Sequence, residues 1–336
     1  MKEDYKTRNN IFYFATKELS QDALLCWLIN GYNFKDEELY PKSKTLLDHI
    51  LKSYNHDLNI EDYNILKIER QFCHIDIYVL LENKKNEEKI GIIIEDKKLT
   101  SEHDNQIANY KEKLKKLKEF NGKEIITVYY KPYEEINELQ KDVIKIDRQY
   151  MLKNIFNSFL NNQIYLDYKV YLEEIEEIYQ NLESIPICEW EKRKEIYYMF
   201  AKKYNQNIKD SDKKMKVVQF NGSTFIDWYE INKLSGELST IFKKVYLSLN
   251  INYEKYELRI RGIAQKECSR QAREKVEQQI SNLCNEENLK TSSFSYRKIK
   301  ENSNIFIAKI NLIPEDKCKE LLEKIKILES ILNSII

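Results

Sequence analysis

The spacing of apolar positions changes several times along the chain, and each change predicts an element. NIFYFATKELSQDALLCWLI carries Ala15, Leu19, Ala23, Cys26 and Leu28, with Trp27, at helical spacing; Ser20 would cap the helix and Gln21 and Asp22 fill its first turn. SKTLLDHILKSY predicts a second helix. From Tyr63 the period shortens to that of a strand. In HIDIYVLL, Ile75, Ile77 and Val79 point one way, and Asp76, Tyr78 and Leu80 the other. In GIIIEDKKLT the unbroken run Ile92 to Ile94 predicts a central strand covered on both faces. A lysine-rich amphipathic helix follows over 102–120, with Ile107, Tyr110, Leu114 and Leu117 as its apolar positions. EIITVYY at 124–130, ended by Pro132, and DVIKID at 142–147 read as further strands. Strands with a helix between them predict an α/β core built on a mixed sheet flanked by helices.

Residues 148–206 return to helical spacing, clearest in YLDYKVYLEEIEEIYQNL, with a break at Pro186. The charged stretch NQNIKDSDKKMK at 205–216 reads as a linker. Beyond it lie the short strands VVQFNG, TFIDWYEI, VYLSLNIN and YELRIRGIA, a helix over 269–283, the strands FSYRKIK and NIFIAKINLI, and a last helix from Pro314. The expected organisation is an α/β domain with a helical extension over 1–204, then a smaller α+β accessory domain over 215–336.

Composition narrows the picture without choosing a function. The 336 residues suffice for two domains, and a mean hydropathy of −0.65 with 42% hydrophobic residues fits a globular chain. Lys plus Arg and Asp plus Glu both number 55, so a surface for nucleic acid must come from local segregation of charge. Residues 233–275 are locally basic, with Arg259, Arg261, Arg270 and Arg273 among the cations; they suit a phosphate backbone and equally suit ordinary solvated surface. The 6 cysteines show no tight ligand spacing and read as free, mostly buried thiols. No apolar run reaches membrane-spanning length and the N-terminus lacks an apolar leader, so a cytoplasmic protein without membrane contact is expected.

The candidate chemistry lies between Lys67 and Tyr110. Neighbouring strands would bring together Asp76, Glu95 and Lys97, and an acid in so apolar a strand is costly unless paired or metal-bound. Glu95 and Lys97 share a face; Asp96 points away. Glu18 is either an additional metal or water ligand or, with Asp22, a charge placed favourably at a helix start. His74 would share the face of Asp76 and reach substrate, or be a partly buried structural histidine. His49 and His56 read as surface or packing residues.

The order Asp76, Glu95-Asp96-Lys97, then Gln106 and Tyr110 four apart on a helix, resembles the PD-(D/E)XK nuclease superfamily, in the branch with a Gln-x-x-x-Tyr element. ATKELSQDALLCWLI also resembles the opening helix of bacterial members, and the likeness covers roughly residues 8 to 175. The proline of the first motif is replaced by Ile75. The resemblance implies a restriction-endonuclease-like core and an Mg²⁺-dependent nuclease, with Mn²⁺ as a substitute. Asp76, Glu95, the Asp96 backbone carbonyl and Glu18 would hold metal; Lys97 would position or deprotonate water; Gln106 and Tyr110 would contact the scissile phosphate or orient Lys97. The implied partner is DNA, in bacterial defence or repair, with RNA as an alternative substrate. A catalytically silent binding or regulatory module is the alternative from another class. Assembly into a homo-oligomer or a dependence on a protein activator is compatible with all three.

Overall fold

The computed structural model describes residues 9–15, 17–35, 37–99, 106–116, 124–136, 139–220, 223–231, 234, 241–252, 255–265, 270–287, 289, 291–292 and 304–335. These form two compact units, Met1–Glu177 and Ile178–Ile336. The expected strand FSYRKIK, residues 102–105 and 117–120 of the lysine-rich helix, and Cys268 lie outside the described residues.

In the first unit, helices α1 (Glu18–Phe34) and α2 (Tyr40–Tyr54) precede a sheet of β1 (Tyr63–Phe72), β2 (Ile75–Asn83), β3 (Lys89–Asp96), β4 (Glu124–Lys131) and β5 (Val143–Asp147). Helix α3 (Gln106–Lys115) lies between β3 and β4 in sequence, and a short helix α4 (Arg148–Tyr150) is followed by α5 (Gln163–Gln180). The strands run in spatial order β1-β2-β3-β4-β5. The first three pair antiparallel, and β3-β4 and β4-β5 pair parallel. The parallel β3-β4 pair requires a crossover, and the segment bearing α3 makes it. Because β3 is central and covered on both faces, all its residues from Ile90 to Asp96 are buried.

One face of the sheet is packed by α3: Tyr110 and Leu114 join Tyr78, Ile93 and Ile125 in one apolar cluster. The other is covered by α1, over β1, β2 and β3, and by α2, over β4 and β5. A mixed sheet with helices on both faces is the restriction-endonuclease-like arrangement expected from the sequence.

The apolar stripe expected on α1 is rotated. The helix starts at Glu18 rather than after Ser20, leaves Leu19 51% exposed, and buries Gln21, Asp22, Leu24, Leu25, Leu28 and Ile29. Two polar residues are buried because they bond to the sheet beneath. Arg148, 2% exposed, ties the chain after β4 to α5, donating to Pro132 O (2.6 Å), Glu134 Oε1 (2.8 Å) and Glu176 Oε2 (2.7 Å). Tyr130 and Tyr168 hydroxyls meet at 2.7 Å, which satisfies both polar tips within the core.

The second unit is α+β. Its six-stranded sheet has the order β10-β11-β9-β8-β7-β6, all pairs antiparallel. The strands are β6 (Lys216–Phe220), β7 (Ser223–Ile231), β8 (Phe242–Asn252), β9 (Lys255–Ala264), β10 (Thr291–Ser292) and β11 (Asn304–Asn311). The helices are α6 (Glu195–Asn205), α7 (Arg270–Glu286) and α8 (Cys318–Ile335). Helix α6, placed by the sequence in the first domain, belongs here: Tyr197 and Phe200 pack on the buried Trp190, and the Tyr197 hydroxyl donates to Ile251 O on β8. Of the described cysteines, Cys284 and Cys318 are buried, Cys26 and Cys188 are half-buried, and Cys73 is exposed at a hairpin tip, so burial of the thiols is less general than expected; none of these five is in a disulfide. Among the described residues no helix is long and apolar enough to cross a membrane.

Gly31 sets the approach of α1 to α2. A Cβ there would lie 2.8 Å from both Leu39 Cβ and Ser43 Oγ, and Ser43 Oγ itself bonds to Leu28 O and Leu39 O. Gly31→Ala gains about 1 kcal/mol of helix propensity, but the forced separation costs about 1–3 kcal/mol. The expected outcome in urea denaturation is net destabilisation, partly reversed in Gly31→Ala/Ser43→Ala.

Candidate active site

The register brings the expected acids together. Ile77 pairs with Ile94 across β2 and β3, so one step further Asp76 stands opposite Glu95. Asp76 also stands across β1 from Gln71, between the pairs Arg70–Ile77 and Phe72–Ile75, and Glu95 pairs with Tyr129 on β4. One row of side chains thus crosses four strands: Gln71, Asp76, Glu95, Tyr129. The Lys97 N–H donates to Tyr130 O (3.0 Å), which carries strand alternation past Asp96 and keeps Lys97 on the face of Glu95. Lys97 Nζ lies 2.5 Å from Glu95 Oε1.

Each member is held differently. Asp76 Oδ2 accepts the Asp96 N–H at 3.0 Å and Asp76 Oδ1 accepts from Gln71 Nε2 at 3.2 Å. Glu95 is fully buried, and among the described residues neither of its oxygens accepts a well-directed hydrogen bond; Lys97 pairs with it and the Asp76 carboxyl lies against it. Glu18, at the start of α1, accepts the Lys98 N–H at 2.9 Å. Two residues beyond Tyr129, the fully buried Lys131 pairs with Glu135 at 3.1 Å, and Tyr129 O–H donates to the same carboxylate at 2.5 Å.

Burial, with the charge of Asp76 added to it, pushes the Glu95 carboxyl up to about 8, and Lys97 opposes this only in part. Burial pulls the Lys97 ammonium down, but Glu95, Asp76 and Glu18 together raise it above its ordinary value. The pair therefore carries an excess of acid that favours a proton or another cation beside Asp76.

The opposite face of β3 holds a second acid pair. Asp96, fully buried, accepts from Gln21 Nε2, and its carboxyl is raised well above the usual range by burial and by Asp22. Asp22 is pushed up to about 6 by burial, with Asp76 adding to the rise and its bond to Asp96 opposing it. Such a pair is stable when the two carboxyls share a proton. Gln71 Nε2 also lies 3.4 Å from Asp22 Oδ2, so one amide spans Asp22 and Asp76. Asp22 is accordingly more than a charge at a helix start. Gln71, Lys131 and Glu135 escaped the sequence reading, which placed Gln21 only in a first helical turn; the available signal was polar residues inside apolar segments.

Of the remaining expected residues, Tyr110 packs with Tyr78 and Ile93 on the sheet face that carries Asp76 and Glu95. Tyr110 is buried in the cluster under α3, with Lys113 Nζ 5.6 Å from its ring centroid. Gln106 opens α3, and its side chain lies outside the description. His74 is exposed: with Cys73 it forms the two-residue β1-β2 turn at φ of 71° and 54°, so strand alternation, which would have put it on the face of Asp76 or made it partly buried, does not extend to it. His49 stacks on Tyr150 at 4.1 Å, and His56 is exposed beside Asp57. Arg259 on β9 bonds to Glu257 at 2.7 and 2.8 Å, and Arg261 lies 5.5 Å from the Tyr246 ring centroid. Arg270 and Arg273 are on α7, with side chains outside the description.

Among the described residues, no group of three or more His, Cys, Asp and Glu is arranged to hold a metal ion. Asp76 and Glu95 supply two carboxylates on one face, Glu18 is turned onto a backbone N–H, and the Asp96 carboxyl faces away. The two carboxylates nevertheless fit a hard divalent cation: the donors are all oxygen, both Glu95 oxygens lack hydrogen bonds, and one or two carboxylates with water and phosphate are a usual set for Mg²⁺.

No family model matches the chain, and no solved structure matches it. It is 30% identical over 93 residues, 26% of its length, to a protein named Type II methyltransferase M.MjaIII from Methanocaldococcus jannaschii. The match spans 32%, about a third, of that protein.

The Asp22 shift has a defined sign. An acid raised from 3.8 to about 6 holds its proton more tightly folded than unfolded, so the folded state loses stability as pH rises between those values. Asp22→Asn removes this contribution. Thermal unfolding at pH 4 and pH 7 should show a smaller fall for the variant than for the natural chain.

Proposed function

We propose that this chain is a divalent-metal-dependent nuclease that hydrolyses phosphodiester bonds, with DNA as substrate. The observation that carries the proposal is the row in β2 and β3: Asp76 opposite a fully buried Glu95, with Lys97 Nζ 2.5 Å away on the same face. A restriction-endonuclease-like sheet supplies the frame, and fold by itself supports the hydrolase class only by analogy. The similarity to part of a methyltransferase brings no activity across to this chain.

A divalent cation bound by Asp76 and Glu95 would neutralise charge on the phosphoryl group and lower the pKa of a bound water. The chain's own groups then have separate tasks. Glu95, whose buried carboxyl has Lys97 as its cation, supplies negative charge where a metal ion is needed. Gln71 and the Asp96 N–H orient Asp76 by donating to its two oxygens. Lys97 presents an ammonium beside the same carboxylates, suited to offset charge on a non-bridging phosphate oxygen or to hold the attacking water. The protonated tendency of Glu95 and the two-carboxylate donor set favour the second reading, a binding module without catalysis.

The test incubates the purified protein with supercoiled, linear duplex and single-stranded DNA and with RNA, under Mg²⁺, Mn²⁺ or EDTA. Cleavage of DNA that requires metal is expected. D76A, E95A and K97A should each lower the rate at least about a hundredfold, the scale of losing one charge-stabilising group; the unfolding midpoints of D76A and E95A should stay close to the parent, and that of K97A should fall because Glu95 loses its buried cation. Calorimetry should show Mn²⁺ binding lost in D76A and E95A but kept in K97A. Unchanged cleavage in K97A would overturn the assignment, and absence of both metal binding and cleavage would select the silent module.

A further inference from the structure

Asp76 is held by a hydrogen-bonded circuit that closes through α1. Its Oδ2 accepts the Asp96 N–H at 3.0 Å, and its Oδ1 accepts from Gln71 Nε2 at 3.2 Å. The same Gln71 nitrogen lies 3.4 Å from Asp22 Oδ2, and the Asp22 and Asp96 carboxyls bond to each other. The circuit runs from Asp76 on β2 to Gln71 on β1, Asp22 on α1, Asp96 on β3 and back to Asp76.

The hydrogens in this circuit balance. Burial raises both Asp22 and Asp96; their mutual bond adds to the rise of Asp96 and opposes that of Asp22, the pattern of an Asp96 O–H donating to an Asp22 carboxylate. Among the described residues, one buried oxygen of each, Asp22 Oδ1 and Asp96 Oδ2, has no other donor, and a shared proton supplies one. The Gln71 amide carries two N–H groups, one for Asp76 and one for Asp22. Rotation away from Asp76 therefore also takes a donor from Asp22.

The two ends of this link differ in how firmly they are placed. Gln71 is exposed and has a φ of 56°, so neither burial nor a preferred backbone conformation fixes its side chain. Asp22 is 1% exposed, next to Gln21, which bonds α1 to the sheet through Asp96. Asp22 is the fixed point, and Gln71 is the group it restrains.

We propose that Asp22 is a positioning residue of the candidate metal site, acting through the Gln71 amide to set the orientation of Asp76. It neither binds the cation nor touches substrate. The inference rests on the metal-binding part of the nuclease reading, and it gives the acid pair on the far face of β3 a task distinct from the chemistry at Glu95 and Lys97.

The experiment titrates the full-length chain and its variants with Mn²⁺ by calorimetry, well below each unfolding midpoint. Asp22→Ala should weaken Mn²⁺ binding about tenfold or more, the scale of losing a partner that orients a metal ligand. Asp22→Asn loses the charge but keeps an oxygen for Gln71, and should stay within about threefold of the parent. Gln71→Gly should weaken binding about tenfold or more while its unfolding midpoint holds or rises, because glycine accepts left-handed backbone. A merely structural residue would lower the midpoint and leave the affinity of the folded chain unchanged. Asp22→Ala/Gln71→Gly should bind within about twofold of Gln71→Gly, since both changes break one link. Gln71→Gly alone decides the matter if Asp22→Ala does not fold. Unaltered affinity in Gln71→Gly, equal losses in Asp22→Asn and Asp22→Ala, or additive losses in the double variant would each overturn the proposal. The expected variant pattern in a chain that cleaves nothing would support the positioning role and overturn the nuclease reading, and no Mn²⁺ binding by the parent would overturn both.

Discussion

The first unit depends on placing a carboxylate where water cannot solvate it. Glu95 is fully buried in the central strand beside Asp76, and its ion pair with Lys97 relieves only part of the resulting penalty. An unpaired buried ion costs several kcal/mol, so the neighbouring elements are arranged around it. The central position of β3 excludes solvent, strand alternation brings Lys97 back to the same face, and two donors hold Asp76 in place. One of those donors, Gln71, has a left-handed φ of 56°, and beyond Phe72 the turn residues Cys73 and His74 are left-handed as well. Backbone of this kind in non-glycine residues is unfavourable by about 1–3 kcal/mol each and persists where its surroundings demand it. Here it places an amide between Asp76 and Asp22.

The same strand carries acids on both of its faces, and that links α1 to the site. Asp96 turns to Gln21 and Asp22 while its N–H holds Asp76. The polar start of α1 is therefore attached to the sheet by hydrogen bonds, and its apolar remainder by packing. Gly31 permits α2 to close against it. The tyrosines contribute on this side too: Tyr130 and Tyr168 satisfy each other's hydroxyls, and Tyr133 meets Tyr171 at 3.1 Å. Rings of this size fill volume between β4 and α5 and still find partners for their polar tips. Their abundance is thus consistent with a packing role.

The second unit solves a different problem. Its antiparallel sheet carries polar side chains along β8, β9 and β11, where Glu257 accepts from both Arg259 and Lys309. Arg259 and Arg261, which look available for phosphate in the sequence, are here already engaged within the sheet.

Much was legible in the order of residues. The strands of both units, the central place of β3, and the grouping of Asp76, Glu95 and Lys97 follow from alternation and apolar runs, which are local properties. The face of α1 was misread because Leu19 and Ala23 fit a helical stripe through Leu28 as well as Leu24 and Leu25 do, and the bond from Gln21 to Asp96 shows which side faces the sheet. His74 was misplaced because two left-handed residues interrupt the strand there. The sequence by itself determined which groups could meet, since periodicity sets the face each side chain takes. Tertiary structure alone decided their ionisation and partners, because burial and cross-strand neighbours far apart in the chain control the free energy of a charge.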